Sequence, residues 1–174
     1  MALISAFIIA KNEEHRIARA IKSLQRVADE IIVIDSGSSD NTVKISEELG
    51  ARVVYNKWPG YVQQKIFGEK LCKHQWVLNI DADEELTDLL QDEIIAIFKS
   101  NIEDRYKAYR INFLIMHRKD VAPRLMAPSN TFIRLYNTRY ASFGNESKST
   151  THDAVLLNPG YEEKDNVYIF NYPA

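Results

Sequence analysis

Hydrophobic and polar positions in the first hundred residues switch between two periods. Leu3 to Ala10 is a continuous apolar run, the pattern of a strand buried on both faces. From about Glu13 to Val27 the apolar residues Ile17, Ile21 and Leu24 recur at helical spacing, and Ala28 extends the stripe. Glu30 to Ile34 is a second apolar strand. Asp40 or Asn41 can cap the next helix, which carries Val43, Ile45 and Leu49 and stops at Gly50. Arg52 to Tyr55 reads as a short third strand, Tyr61 to Leu71 as a helix, and Trp76 to Ile80 as a fourth strand. Thr87 or Asp88 then opens a helix with Leu89, Leu90, Ile94, Ile97 and Phe98 along one stripe. This βαβαβαβα order predicts an α/β fold with a Rossmann-like, mostly parallel sheet and helices on both faces.

The second half changes character. Tyr106 to Phe113 and Thr131 to Tyr136 read as strands, separated by a stretch rich in Met, Arg and Pro from Leu114 to Asn130. A loop of that length is usually functional or mobile. After Tyr140 the chain is polar and irregular through Thr151, with short strands expected at Val155–Leu157 and Val167–Phe170. The sequence stops at Pro173-Ala174, just after an apparent strand and with no closing helix. Residues 1–174 are therefore expected to form one domain lacking its C-terminal part, with halves at 1–100 and 101–174.

Composition narrows the function. The 174 residues are 45% hydrophobic and 26% charged, ordinary for a soluble domain with a real core. A net charge of -2 gives no global basic field, so no nucleic-acid partner is expected. The single cysteine, Cys72, excludes an internal disulfide or a multi-cysteine zinc site; it reads as a small buried apolar residue. No apolar run is long enough to span a bilayer. The apolar start lacks a basic leader region and runs into Lys11-Asn12-Glu13-Glu14, which favours a core strand over a signal peptide. A cytoplasmic location follows.

Candidate chemistry gathers where strands end. Val77-Leu78-Asn79-Ile80 runs into Asp81-Ala82-Asp83-Glu84, three carboxylates in four residues. At a strand's carboxyl end in an open α/β sheet, such acids face the crevice where ligands bind. In a still-extended segment Asp81 and Asp83 would share one side. Two acids held together are stabilised by a divalent cation, which in turn clamps a diphosphate. A solvated strand end before an acidic helix start explains the same residues. The first strand ends in Ala10-Lys11-Asn12-Glu13, where Asn12 can cap a helix and Glu13 suits its positive end, or where the turn can lie beside a base or ribose. The second ends in Asp35-Ser36-Gly37-Ser38-Ser39-Asp40. There Gly37 and the serines allow close backbone approach, and Asp35 can accept from a nucleotide NH or hydroxyl. Lys65, early in the third helix, suits a phosphate contact or is simply an exposed lysine.

Taken in order, Ala10-x-Asn12-Glu13, Asp35-Ser-Gly-Ser-x-Asp40, Gly60-Tyr-x-x-Gln64-Lys65 and Asp81-Ala-Asp83-Glu84 resemble a family-two glycosyltransferase of GT-A fold. The resemblance is nearest to the branch that adds sugars to the lipopolysaccharide core, and it covers residues 1–100 best. It implies an inverting, metal-dependent, hexosyltransferase-like enzyme that uses a nucleoside-diphosphate sugar, with UDP favoured, and a glycan or lipid-linked acceptor. Residues 1–100 would bind the donor, and 101–174 would form the acceptor side. Carried over by position, Asp35 contacts the base, Ala10, Asn12, Glu13, Gly37 and Ala82 lie along the nucleotide, and Lys65 stands near its pocket. Asp81 leans toward the ribose, and Asp83 binds a divalent cation, Mn²⁺ or Mg²⁺. Ile66 departs from the family, where relatives often carry Asn.

An inverting transferase needs a carboxylate to take the acceptor's hydroxyl proton. In the branch a His-Glu pair follows the second-half strands. Thr151-His152-Asp153 occupies that place, making Asp153 the candidate base and His152 a neighbour that orients it or binds metal. Glu146 is the alternative base, and an ordinary surface pair remains open for His152 and Asp153. His117-Arg118-Lys119 and Arg124 suit a phosphorylated, lipid-linked acceptor or the anionic inner face of the plasma membrane, and a solvated basic loop fits them equally. Two rival functions stand beside the transferase: a nucleotide-sugar binding module without turnover, and an Asp-x-Asp phosphohydrolase with Asp81 as nucleophile.

Overall fold

A computed structural model describes residues 3–100, 105–115, 128–144 and 154–174. The apolar runs become β1 (Ile4–Ala10), β2 (Glu30–Asp35), β3 (Arg52–Tyr55) and β4 (Trp76–Asp81). Between and after them lie α1 (Ile17–Leu24), α2 (Thr42–Glu48), α3 (Tyr61–Leu71) and α4 (Asp88–Lys99). The second half supplies β5 (Ala108–Leu114), β6 (Ser129–Asn137), β7 (Ala141–Phe143), β8 (Val155–Leu157), the short α5 (Glu163–Asn166) and β9 (Val167–Ile169).

Seven strands form one sheet in the order β3-β2-β1-β4-β6-β5-β9, and β7 and β8 pair separately. β1 pairs in parallel with β2 and with β4, and β2 with β3; β6 runs antiparallel to both neighbours, and β9 is parallel to β5. The α/β, mostly parallel reading holds. The chain walks outward from β1 to β3 and then returns to place β4 on the other side of β1. A switch of this kind opens a crevice beyond the strands' carboxyl ends.

Both faces are covered. Ile17, Ala20, Ile21 and Leu24 of α1 and Leu90, Ile94 and Phe98 of α4 pack on one side of the sheet. Ile66, Phe67 and Leu71 of α3 pack on the other, with Phe143 and Val155 of the small sheet. Thr87 caps α4, its hydroxyl accepting from the Leu90 N–H at 3.3 Å. Three expectations need correction. Helix α1 is regular only from Ile17, but its first turn begins at Glu13, whose carbonyl accepts from the Ile17 N–H at 2.9 Å, while the Glu13 and Glu14 N–H groups bond to the β2–α2 loop. Leu89 is 57% exposed, so the buried stripe of α4 does not include it. The stretch after Tyr140 begins with a true strand, β7, whose short length hid its alternation.

In β6 the period of two breaks. Tyr109 pairs with Leu135 but Arg110 pairs with Ile133, so Arg134 is an extra residue on β6. This β-bulge puts Ile133 and Leu135 in opposite halves of the core, where an unbroken strand would put them on one face.

Helix α3 lies very close to β1 at Gly68. A Cβ there would stand 2.6 Å from the Phe7 ring and 3.2 Å from Ile34. Gly68→Ala should therefore lower the melting temperature. Overpacking against a buried ring costs about 1–3 kcal/mol, and the helix-propensity gain of ~1 kcal/mol offsets only part of it. A thermal melt at or above the parent's would show that α3 can move away from β1 without loss.

Candidate functional site

Strand register brings the polar strand ends to one level. Ala10 pairs with Asp35, Ile9 with Asp81, and Asp35 with Tyr55. The loops that follow are tied together. Asn12, at φ 57°, gives its N–H to Ser38 Oγ at 2.9 Å, and its side-chain oxygen accepts from the Ser39 N–H at 2.9 Å. The Glu13 N–H donates to Thr42 Oγ1 at 2.7 Å, and the Glu14 N–H to Asp40 at 3.1 Å. Glu14 in return accepts from the Asn41 backbone and side chain. Asn12 is thus a cross-loop tie, not a helix cap.

Asp35 is buried, and its own loop uses its carboxylate. It accepts from the Gly37 N–H at 2.8 Å, the Ser38 N–H at 3.0 Å and the Ser38 hydroxyl at 2.5 Å. Gly37 takes φ 93°, which lets the loop curl back over the acid. Gln64, fully buried at the start of α3, donates to Ser36 Oγ at 3.0 Å and accepts from the Asn56 side chain at 2.7 Å. Helix α3 is so pinned to the ends of β2 and β3.

The fourth strand end is charged. Lys65 is 1% exposed, not the surface lysine that the sequence allows, and its Nζ lies 3.0 Å from Asp81 Oδ1. Asp81 Oδ2 accepts from Arg134 Nη2 at 3.2 Å. The same nitrogen donates to Glu84 Oε1 at 2.8 Å, and Arg134 Nη1 donates to the buried Asn79 side chain at 3.0 Å. The guanidinium carbon sits 5.1 Å from the Phe113 ring centroid and 5.3 Å from that of Phe132. Burial disfavours the charged Asp81, but Arg134 and Lys65 outweigh it and hold its pKa below the ordinary value. Burial raises Glu84, and the charge of Asp81 adds to the rise. Arg134 opposes both, and the balance leaves Glu84 at about 7.

Asp81 and Asp83 do not share a side. The Glu84 N–H donates to the Asp81 carbonyl at 3.0 Å, so the segment is a turn rather than an extension of β4. Asp81 turns in toward Lys65 and Arg134, Ala82 packs in the core, and Asp83 turns out. The mutual repulsion of the acids is relieved by two buried cations and by separation. Asp83 is 56% exposed, with Arg16 Nη1 at 3.5 Å. Arg16 is itself held by Glu13, at 2.7 Å and 3.0 Å.

Among the described residues no three His, Cys, Asp or Glu side chains form a ready metal cage. Asp83 still fits a hard divalent cation. Mg²⁺-type sites commonly use one or two carboxylates and complete the shell with substrate phosphates and water, and exposed Asp83 offers one such oxygen donor. His152, Asp153, Glu146 and the basic residues 117–119 and 124 lie outside the described residues. Cys72 is no nucleophile: burial, with Glu30 and Glu69 nearby, pushes its thiol up to about 12. Sequence reasoning missed Arg134 and Asn79. Both sit inside strands that read as simple core, and a charged residue within an apolar run was the available signal.

Residues 5–145 match the profile described as glycosyl transferase family 2. An uncharacterized glycosyltransferase of Rickettsia conorii is 56% identical over 98% of this chain; the chain spans 61% of that relative's length. A lipopolysaccharide core biosynthesis glycosyltransferase of Rhizobium meliloti is 42% identical over 94 residues, 51% of this chain and 34% of the relative. Glucosyl-3-phosphoglycerate synthase of Mycobacterium tuberculosis in complex with UDP shares the fold with a TM-score of 0.53 at 24% identity, covering 66% of this chain and 46% of its own. Staphylococcus aureus TarS 1–349 does so with 0.54 at 20%, covering 70% and 38%. The sheet order and these likenesses agree with the GT-A fold expected from the motifs. Among the described residues no helix is long and apolar enough to cross a membrane.

The raised Glu84 has a stability consequence. The folded state keeps a proton that the unfolded chain loses near 4.5, the ordinary value for a glutamate. From there up to about 7, raising the pH should therefore weaken the fold. Glu84→Gln should flatten that decline in urea melts taken across this range. An equal slope in both proteins would mean that Glu84 is ionised throughout.

Proposed function

We propose that this chain, which belongs to glycosyl transferase family 2, transfers a sugar with inversion from a nucleoside-diphosphate donor, a UDP-sugar, to a saccharide or lipid-linked saccharide acceptor. Cell-surface glycan synthesis is the setting, with lipopolysaccharide core assembly favoured by the Rhizobium meliloti relative. One observation carries the reading. At the sheet's switch point the level ends of β1, β2 and β4 combine two polar, backbone-rich loops with an exposed carboxylate, Asp83. That combination suits a nucleoside on one side and a diphosphate on the other. The synthase of the same fold was crystallised with Mn²⁺, UDP and its product, which supports a similar donor here.

The nucleoside would lie along Ala10, Asn12, Glu13 and the Asp35–Gly37 loop. A base that bonds to Asp35 directly must replace the Ser38 hydroxyl, because the loop already occupies the carboxylate. Lys65 and Arg134 keep Asp81 ionised, ready to accept from a ribose hydroxyl. Asp83 would hold Mn²⁺ or Mg²⁺, which when bound neutralises charge on the departing diphosphate. Asp153, oriented by His152, would take the acceptor's hydroxyl proton. The acceptor oxygen then bonds to the anomeric carbon as the bond from that carbon to the diphosphate oxygen breaks.

Two measurements test this. UDP binding should strengthen with Mn²⁺, and Asp83→Asn should remove most of that coupling in calorimetry. Equal UDP affinity with Mn²⁺ and with EDTA in the parent protein rules out the cation role. Asp153→Asn should cut transfer about 10²–10⁴-fold and leave UDP-sugar affinity nearly unchanged, because Asp153 is assigned to the acceptor and not to the nucleotide. Transfer at the parent rate would pass the base role to Glu146 or another residue. Binding without transfer or donor hydrolysis in the parent protein would instead favour a binding module.

A further inference from the structure

Arg134 stands on the bulge of β6, and its contacts bear on what the turn after β4 can do. The turn carries three acids, Asp81, Asp83 and Glu84. One nitrogen of Arg134 bonds to the first and last of them, Asp81 at 3.2 Å and Glu84 at 2.8 Å, and the other bonds to Asn79 at 3.0 Å. The side chain is 8% exposed and lies against the rings of Phe113 and Phe132. A planar guanidinium locked in this way presents its donors in one fixed geometry. Glu84 is fixed further, because its second oxygen accepts from the Asp81 N–H at 2.8 Å. Asp83 alone of the three points outward.

Unrestrained acids so close in sequence would gather around an added cation, and each extra carboxylate tightens divalent binding. We propose that Arg134 is a positioning residue that withholds Asp81 and Glu84 from the cation, so that Asp83 alone meets it and the donor's diphosphate completes its shell. The consequence is functional. The cation binds weakly before the donor arrives and firmly with it, so cation and donor enter together. Residue 134 alternates normally with Leu135, which puts it on the face of β6 that meets Asn79 and Asp81. This inference rests on the assignment of the cation to Asp83.

The test is calorimetry of the purified chain with Mn²⁺ alone and with UDP in the presence or absence of Mn²⁺. In Arg134→Gln, affinity for Mn²⁺ alone should rise on the order of tenfold, while the gain in UDP affinity from Mn²⁺ should shrink. Glu84→Gln added to Arg134→Gln should return affinity for Mn²⁺ alone toward the parent's, since Lys65 still neutralises Asp81. A merely structural role would lower the melting temperature without tightening Mn²⁺. If Arg134→Gln does not fold, Arg134→Lys carries the same test, because it keeps the buried charge and loses the fork. Folded variants that bind Mn²⁺ alone no better than the parent overturn the proposal. The two assignments fail differently: UDP–Mn²⁺ coupling that survives Asp83→Asn removes the cation from Asp83, whereas coupling lost there with unchanged Mn²⁺ binding in the Arg134 variants removes only the withholding role.

Discussion

The ion cluster at the end of β4 is the constraint from which the rest of the crevice follows. Asp81 is held between a buried lysine from α3 and a buried arginine from β6. Taking such charges out of water costs several kcal/mol for each, and removing one partner of a buried pair costs about 3–5 kcal/mol. The cluster is therefore stable only when complete. That ties three elements together, α3, β4 and β6: α3 must lie on the sheet, and β6 must pair with β4. The close approach at Gly68 and the Gln64 contacts to Ser36 and Asn56 bring α3 to the required position. The packing of the domain and the electrostatics of its crevice are one problem with one solution.

This solution divides the crevice by chemistry. On the β1–β2 side the loops satisfy one another through hydroxyls, backbone N–H groups and the carboxylates of Glu14, Asp35 and Asp40, with Asn12, Ser38 and Thr42 at the crossings. Polar, rigid and rich in backbone donors, that wall suits a nucleoside. On the β4 side the charge is concentrated but internally balanced, and of the acids Asp81, Asp83 and Glu84 it is Asp83 that faces outward. Charge that is settled within the protein does not compete for an incoming diphosphate. The wall remains able to meet a cation without collapsing around one beforehand.

Much of this was legible in the sequence. Continuous apolar runs marked the parallel strands because such strands are buried on both faces, and the order of elements placed the acids at a switch point. The four motifs pointed to the family. Three things were not legible, each for a physical reason. The divergence of Asp81 and Asp83 depends on a turn that an alternation rule cannot foresee. The burial of Lys65 depends on an acid sixteen positions away in sequence. Arg134 and its bulge depend on strand register, which is set by neighbours on both sides. Ile66 has a plain structural place: it packs partly buried against the core on the α3 side of the main sheet.

Helix α3 also reaches past the crevice. Glu69 lies one turn beyond Lys65, on the same face of the helix. It accepts from the Tyr136 hydroxyl at 2.6 Å and from the Phe143 N–H at 3.2 Å. Burial raises its pKa, and these two donors work against the rise. The Phe143 ring in turn lies 6.0 Å from the Lys65 ammonium. One helix face so holds the acid at the end of β4 and the last residue of β7, the strand from which the chain runs on toward His152 and Asp153. A change in how α3 sits on the sheet would be felt at both places together, because the same rigid turn supplies both contacts. The end of β4 and the start of the small sheet are set here by a shared element, which is a stronger constraint than their separation in sequence would suggest.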